Sequence, residues 1–141
     1  MSLVRDILQQ RDVFFVAEAD SVAAVVRRMA ELSVGAIMVM GGGGLRGVFS
    51  ERDLMKRVVL EGRDPERTAV HQVMTTSVAT IEDSANVEQA MEAMQNHGCR
   101  HLPVMRGGAV VGFLSMRDVI HHELMQKTEE LHHMKAYIHG T

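Results

Sequence analysis

The sequence predicts an α+β protein: two β-α-β-β-α repeats packed sheet to sheet about a pseudo-twofold axis. Three observations predict it. The phrase GVFSERD at residues 47–53 returns as GFLSMRD at residues 112–118. Sliding the chain by 65 residues lays residues 13–53 on 78–118 without a gap, pairing Val22 with Val87, Met29 with Met94, Val39 with Val104 and Gly47 with Gly112. Each copy also places a glycine-rich turn between two apolar runs, GGGG at 41–44 and RGG at 106–108, which reads as a hairpin.

The elements follow in order. VRDIL (4–8) is a short helical lead-in for the first copy. VFFVA (13–17) is a strand. Asp20 or Ser21 can cap a helix by accepting an orphan N–H, and Val22, Val25, Val26 and Met29 then recur at helical spacing through Leu32. AIMVM (36–40) and LRGVF (45–49) are the hairpin strands. Residues 51–60 continue as a helix with Leu54, Met55 and Val58 inward. EGRDPERTAV (61–70) is polar and holds one of only two prolines, so it links the copies, and VHQVM (70–74) is the second lead-in. VATI (78–81), a helix capped by Asp83 or Ser84 and running to about His97, HLPVM (101–105), AVVGFL (109–114) and a helix from about Met116 complete the second copy. The organisation expected is residues 1–60, a linker at 61–69, residues 70–122, and an amphipathic tail at 123–141. A unit of about 55 residues buries too little surface to stand alone, so the two copies must share packing.

Composition excludes several classes. Apolar residues make up 46% of the 141, enough for a core, and no apolar run reaches the length that spans a bilayer. The first residues show no apolar stretch behind a basic one, so no secretory leader is expected. A single cysteine, Cys99, forbids an internal disulfide and points to a reducing compartment, the cytoplasm being the simplest. A formal charge of −3, no Trp and one Tyr speak against nucleic-acid binding. Twelve methionines suit irregular core packing.

The repeated phrase has two chemical readings. Ser50 and Ser115 stand where strand gives way to helix, and Asp53 and Asp118 follow one turn later. As a capping box, each Ser and Asp satisfies the other's backbone N–H. As a binding turn, the Asp carboxylate accepts two hydrogen bonds from a diol, the Ser hydroxyl can bind a ligand oxygen, and Arg52 or Arg117 offers a fork suited to phosphate. A cap does not need the Arg, and the phrase occurs twice with the same preceding Gly.

The stretches VGAIMVMGGGGLRGVFSERDLMKRV (34–58) and VMTTSVATIEDSANVEQAMEAMQNHGCRHLPVMRGGAVVGFLSMRDVI (73–120) resemble a tandem pair of CBS (cystathionine β-synthase) domains, the arrangement called a Bateman module, here expected to stand alone. The resemblance covers the chain to about residue 122. It implies a non-enzymatic sensor of adenosine ligands (AMP, ADP, ATP or NAD) that acts on a regulated partner. It implies that Ser50 with Asp53, and Ser115 with Asp118, hold ribose. Adenine would enter beside Val13, Phe14, Gly35 and Ala36 in one copy, and beside Ser77, Val78, Ala79, Cys99, Arg100 and His101 in the other, with Pro103 shaping the wall. Arg52, Arg117, Arg100 and His101 would meet phosphates. The second copy carries Arg100 and His101 where the first has Gly35 and Ala36, so its cleft should be better supplied, and Phe14 opposite Ala79 should narrow the first.

Ile120, Leu124, Lys127, Leu131, Met134 and Ile138 form a heptad seam with one polar break, expected to pack across a homodimer. His121, His122, His132, His133 and His139 read as a solvated helix face, because no Cys or carboxylate cluster completes a tetrahedral set. The alternatives to a sensor are a constitutive dimeric scaffold with degenerate pockets and, less favoured, a nucleotide hydrolase. The residues offer neither a metal cluster nor an evident general base for the latter. No nucleic-acid or membrane partner is expected.

Overall fold

In a computed structural model that describes residues 2–8 and 12–138, the chain folds as two three-stranded sheets with helices around them. The elements are α1 (Val4–Leu8), β1 (Phe15–Ala17), α2 (Val22–Leu32), β2 (Ala36–Gly41), β3 (Gly44–Ser50), α3 (Glu51–Asp53), β4 (Ile81–Glu82), α4 (Val87–His97), β5 (His101–Arg106), β6 (Ala109–Ser115) and α5 (Met116–Ile138). Both sheets have the same topology. A parallel pair (β1 with β2, β4 with β5) extends into an antiparallel hairpin (β2 with β3, β5 with β6). A register shift falls at Val39/Met40 and again at Val104/Met105, the same place in each repeat. Sheets meet along β3 and β6.

The turns and caps follow from residue type. Gly42 and Gly43 both take positive φ (54° and 84°), the two-residue hairpin turn that only glycine adopts without cost. Ser21 caps α2 by accepting from Ala24 N–H at 3.1 Å. Asn86, rather than Asp83 or Ser84, caps α4 in a capping box with Gln89. Asp83 is engaged elsewhere: it is buried and receives Arg106 from the hairpin at 2.8 Å. The second first-strand is short and late, Ile81–Glu82 against the expected 78–81, because only these residues pair with β5. After α3 the chain continues as π-helical turns (Leu54–Val59), burying Val58 and half-burying Leu54 but leaving Met55 outside.

The lead-ins are exchanged. The core of the first half holds Val22, Val25, Ile37, Val39, Phe49 and Val58, and it is completed by Val70, Val73 and Met74 from the segment after the linker. The core of the second half holds Val87, Met94, Leu102, Val104, Leu114 and Val119, and it is completed by Val4 and Leu8 of α1. Backbone bonds fix the exchange: Val22 N–H donates to Thr68 C=O (2.9 Å), and its counterpart Val87 N–H donates to Ser2 C=O (3.1 Å). So α1, expected to serve the first copy, packs on the second, because that is where its apolar face finds a sheet to cover.

Beyond Val119, α5 leaves the core. Ile120, Leu124, Leu131, Met134 and Ile138 stay exposed along it. His122 and Gln126 reach Ser2 Oγ at 2.9 and 2.7 Å, whereas His121, His132 and His133 are exposed. His139 lies outside the described residues. No described helix is long and apolar enough to cross a membrane.

Gly47 and Gly112 serve this packing. A Cβ on Gly47 would stand 2.6 Å from the backbone oxygen of Thr75, whereas one on Gly112 would meet the Leu8 side chain, its Cδ1 methyl at 2.6 Å. Backbone cannot give way and a leucine methyl can. Gly47→Ala should therefore cost about 2–3 kcal/mol in urea unfolding, and Gly112→Ala about 1 kcal/mol or less. Equal costs would contradict the rigid crossing at Gly47.

Candidate functional site

The two copies of the Ser-x-Arg-Asp phrase fold into the same local turn and meet different surroundings. In each, the Ser hydroxyl accepts from the Asp N–H (3.2 Å in the first, 3.0 Å in the second). The Asp Oδ2 accepts from the Ser N–H in return (3.0 and 2.8 Å). Both are capping boxes. The residue after each Ser is tied to the start of the hairpin, Glu51 N–H to Gly35 C=O (3.0 Å) and Met116 N–H to Arg100 C=O (2.8 Å).

Asp53 is buried, and its carboxylate is consumed by the fold. Oδ2 also receives the Ser50 hydroxyl (3.0 Å), Oδ1 receives the Thr75 hydroxyl (3.0 Å), and Arg57 lies 3.9 Å away. Arg57 is itself anchored on the Met74 carbonyl at 2.7 Å. Asp53 thus ties the second lead-in to the first half. Asp118 instead lines an open cleft between the two halves.

That cleft has a volume of about 1440 Å³. One wall comes from the first copy: Val13, Phe14, Gly35 and Ala36, with Met29, Ser33 and Ile37 behind them. The other comes from the second copy: Arg100, His101, Ser115, Arg117 and Asp118, with Phe113 between. The sequence reading grouped Val13, Phe14, Gly35 and Ala36 with Ser50 and Asp53. The structure groups them with Ser115 and Asp118, because pseudo-twofold packing sets the first strand of one copy beside the helix start of the other. Of the remaining predicted residues, Pro103 is buried in β5, and Ala79 and Cys99 pack half-buried against the second core. Ser77 is exposed on the connecting segment with Val78 half-buried after it, and Arg52 is exposed on α3. None of these lines the cleft, nor does Ser50 or Asp53. A second recess, about 510 Å³, opens beside β1 and the 41–44 turn and brings together Asp20 and Arg28.

Aromatic contacts shape the cleft. His101 stacks on Phe113 with centroids 5.1 Å apart and planes 25° from parallel. His101 pairs with Ser115 across the hairpin, so Phe113, two residues back, is its diagonal neighbour on the same face. Burial pushes the His101 imidazole below the ordinary 6.5; Asp118 and Glu51 pull it upward, and Arg100 lowers it further. The ring is therefore mainly neutral at pH 7. Phe14 is partly exposed at the mouth, under the Arg28 guanidinium at 5.4 Å. The cleft thus offers apolar and aromatic walls for a flat ring, a hydroxyl and carboxylate at the start of α5, and two guanidiniums. Phe113 and Glu51 are members that the sequence reading missed. Phe113 was legible as the residue two before Ser115; Glu51 differs from its counterpart Met116, so the repeat comparison hid it.

The pattern that defines the CBS domain matches this chain twice, over residues 4–60 and 70–125. The chain belongs to the CBS domain family. It is 32% identical over 126 residues to the mitochondrial CBS domain-containing protein CBSX3 of Arabidopsis thaliana, matching 86% of this chain but only 61% of the plant protein's length. The CBS-domain containing protein ATU1752 from Agrobacterium tumefaciens is 30% identical with a TM-score of 0.80, over 86% of this chain and 99% of that one. CBSX2, solved in complex with AMP, has the same fold: its TM-score is 0.75 at 24% identity, over 90% of this chain and 99% of that one.

The geometry separates the two aspartates by stability. Asp53→Ala strands the Thr75 hydroxyl and removes a buried acceptor, and should cost about 2–3 kcal/mol. Asp118→Ala removes the capping box at the start of α5 and should cost about 1 kcal/mol. Thermal unfolding of both variants checks this, and a larger loss in Asp118→Ala would contradict it.

Proposed function

We propose that this CBS pair is a non-enzymatic regulatory module that binds an adenosine ligand of the AMP, ADP, ATP or NAD type in the large cleft. The observation that carries the reading is the convergence on one cleft of apolar and aromatic walls with the Ser115–Asp118 turn, Arg100 and Arg117. Adenine fits between the wall at Val13, Phe14, Gly35 and Ala36 and the stacked His101. Ribose hydroxyls meet Asp118 and Ser115, and phosphate meets the guanidiniums. The AMP complex of CBSX2, a protein of the same fold, supports this choice of ligand. Two such modules pair as a homodimer through the apolar seam of α5, in a reducing compartment such as the cytoplasm. A regulated protein then reads the ligand-dependent repacking. A ligand moves that equilibrium only by its difference in affinity for the two packings.

One observation favours a narrower reading of the first phrase. Asp53 spends its carboxylate on Ser50 and Thr75, so residues 50–53 act as scaffold and the module uses a single clamp.

Thermal melting with AMP, ADP, ATP and NAD tests the proposal. Ligand at about 100 times its dissociation constant adds roughly 2.7 kcal/mol, several degrees at this size. At least one ligand should raise the melting point of the wild type, and Asp118→Ala should abolish that rise. If none of the four does so, the constitutive scaffold replaces the sensor. Phosphate release from ATP and Mg²⁺ would restore the hydrolase.

A further inference from the structure

The charges around the cleft are unusual for a site meant to hold a string of phosphates. Two guanidiniums, Arg100 and Arg117, face three carboxylates, Asp12, Glu51 and Asp118, and no lysine is among the described lining residues. With His101 mainly neutral, the described residues of its lining carry two positive and three negative charges, a net of one unit negative. Asp118 belongs to the ribose turn and Asp12 is exposed near Val13. Glu51 is different. Its N–H is fixed on Gly35 C=O at 3.0 Å, and its carboxylate sits 3.4 Å from where a Gly35 Cβ would stand. That places a negative charge directly on the first-copy wall, close enough for its field to reach His101. The matching residue of the second copy is the neutral Met116, so the capping turn does not require an acid here.

We propose that Glu51 is a specificity-determining residue of this cleft, selecting adenosine ligands with a single phosphate, or with a cationic tail, over di- and triphosphates. The inference rests on the adenosine reading of the cleft. Each further phosphate adds about one negative charge. The first phosphate can be matched by the two guanidiniums; those beyond it meet Glu51, with no further cation among the described lining residues and Arg28 held over Phe14 at the mouth. Discrimination by a like charge is selection through repulsion rather than added contact. Glu51 is solvent-exposed, so screening keeps the effect to about fivefold per facing charge at moderate salt.

Isothermal titration of the full chain and of Glu51→Gln with AMP, ADP and ATP, each with and without Mg²⁺, tests this. The wild type should bind AMP at least tenfold more tightly than ATP, and Glu51→Gln should shrink that ratio by about fivefold, with ADP between. Lower salt should widen the wild-type ratio and leave that of the variant nearly unchanged. AMP binding with an AMP-to-ATP ratio that Glu51→Gln does not move would overturn the role of Glu51 and leave the adenosine site standing. ATP binding that requires Mg²⁺ and weakens in Glu51→Gln would make Glu51 a metal-bridging ligand and also overturn exclusion. Absence of binding by all three nucleotides would sink both this inference and the adenosine reading.

Discussion

Val70, Val73 and Met74 seal the core of the first half, and Val4 and Leu8 seal that of the second. Each half is a three-stranded sheet with helices on it, too small to bury its own apolar surface fully. Each takes its missing cover from the segment that leads into the other. The exchange fixes how the halves sit. It sends the chain from the linker past β3, where Val48 and Thr75 exchange two backbone bonds of 3.0 and 2.9 Å. Gly47 is required there because Thr75 leaves no room for a side chain. The pseudo-twofold arrangement, and with it the shape of the cleft, depends on this crossing.

The same crossing breaks the functional symmetry of a repeated phrase. Thr75 arrives with the second lead-in and donates to Asp53, and Arg57 reaches across to Met74. The first Ser-x-Arg-Asp turn thereby becomes a tie between lead-in and half-domain. The second turn opens onto a cleft whose opposite wall is the first copy's strand and hairpin start. One motif has two uses, and what decides between them is the neighbour that the fold brings to each carboxylate.

Much of the fold could be read from residues alone. Short β-rich apolar runs, glycine-rich turns between them, and Ser or Asp before helical spacing mark hairpins and caps from local chemistry, and the repeat doubles each signal. The failures have a common cause. Asp83, Ser84 and Asn86 are all able caps, and only the ion pair with Arg106, 23 residues on, removes Asp83 from the choice. The π-turns at Leu54–Val59 and the short β4 depend on packing rather than composition. Site membership was half legible. The residue types that line the cleft were identifiable from the phrase and from the Arg100-His101 pair, but which wall faces which clamp is a tertiary fact with no local signature. Repeat comparison also draws attention to what matches, and so it passes over Glu51.

The central claim is that one site is built from the first copy's wall and the second copy's clamp. Amide chemical-shift mapping of isotope-labelled protein titrated with AMP tests it most directly. The account predicts that Val13, Phe14, Gly35 and Ala36 shift together with residues 115–118 along a single binding curve, while residues 50–53 stay in place. Shifts confined to residues 50–53 and 77–79, with the crossed walls silent, would contradict it.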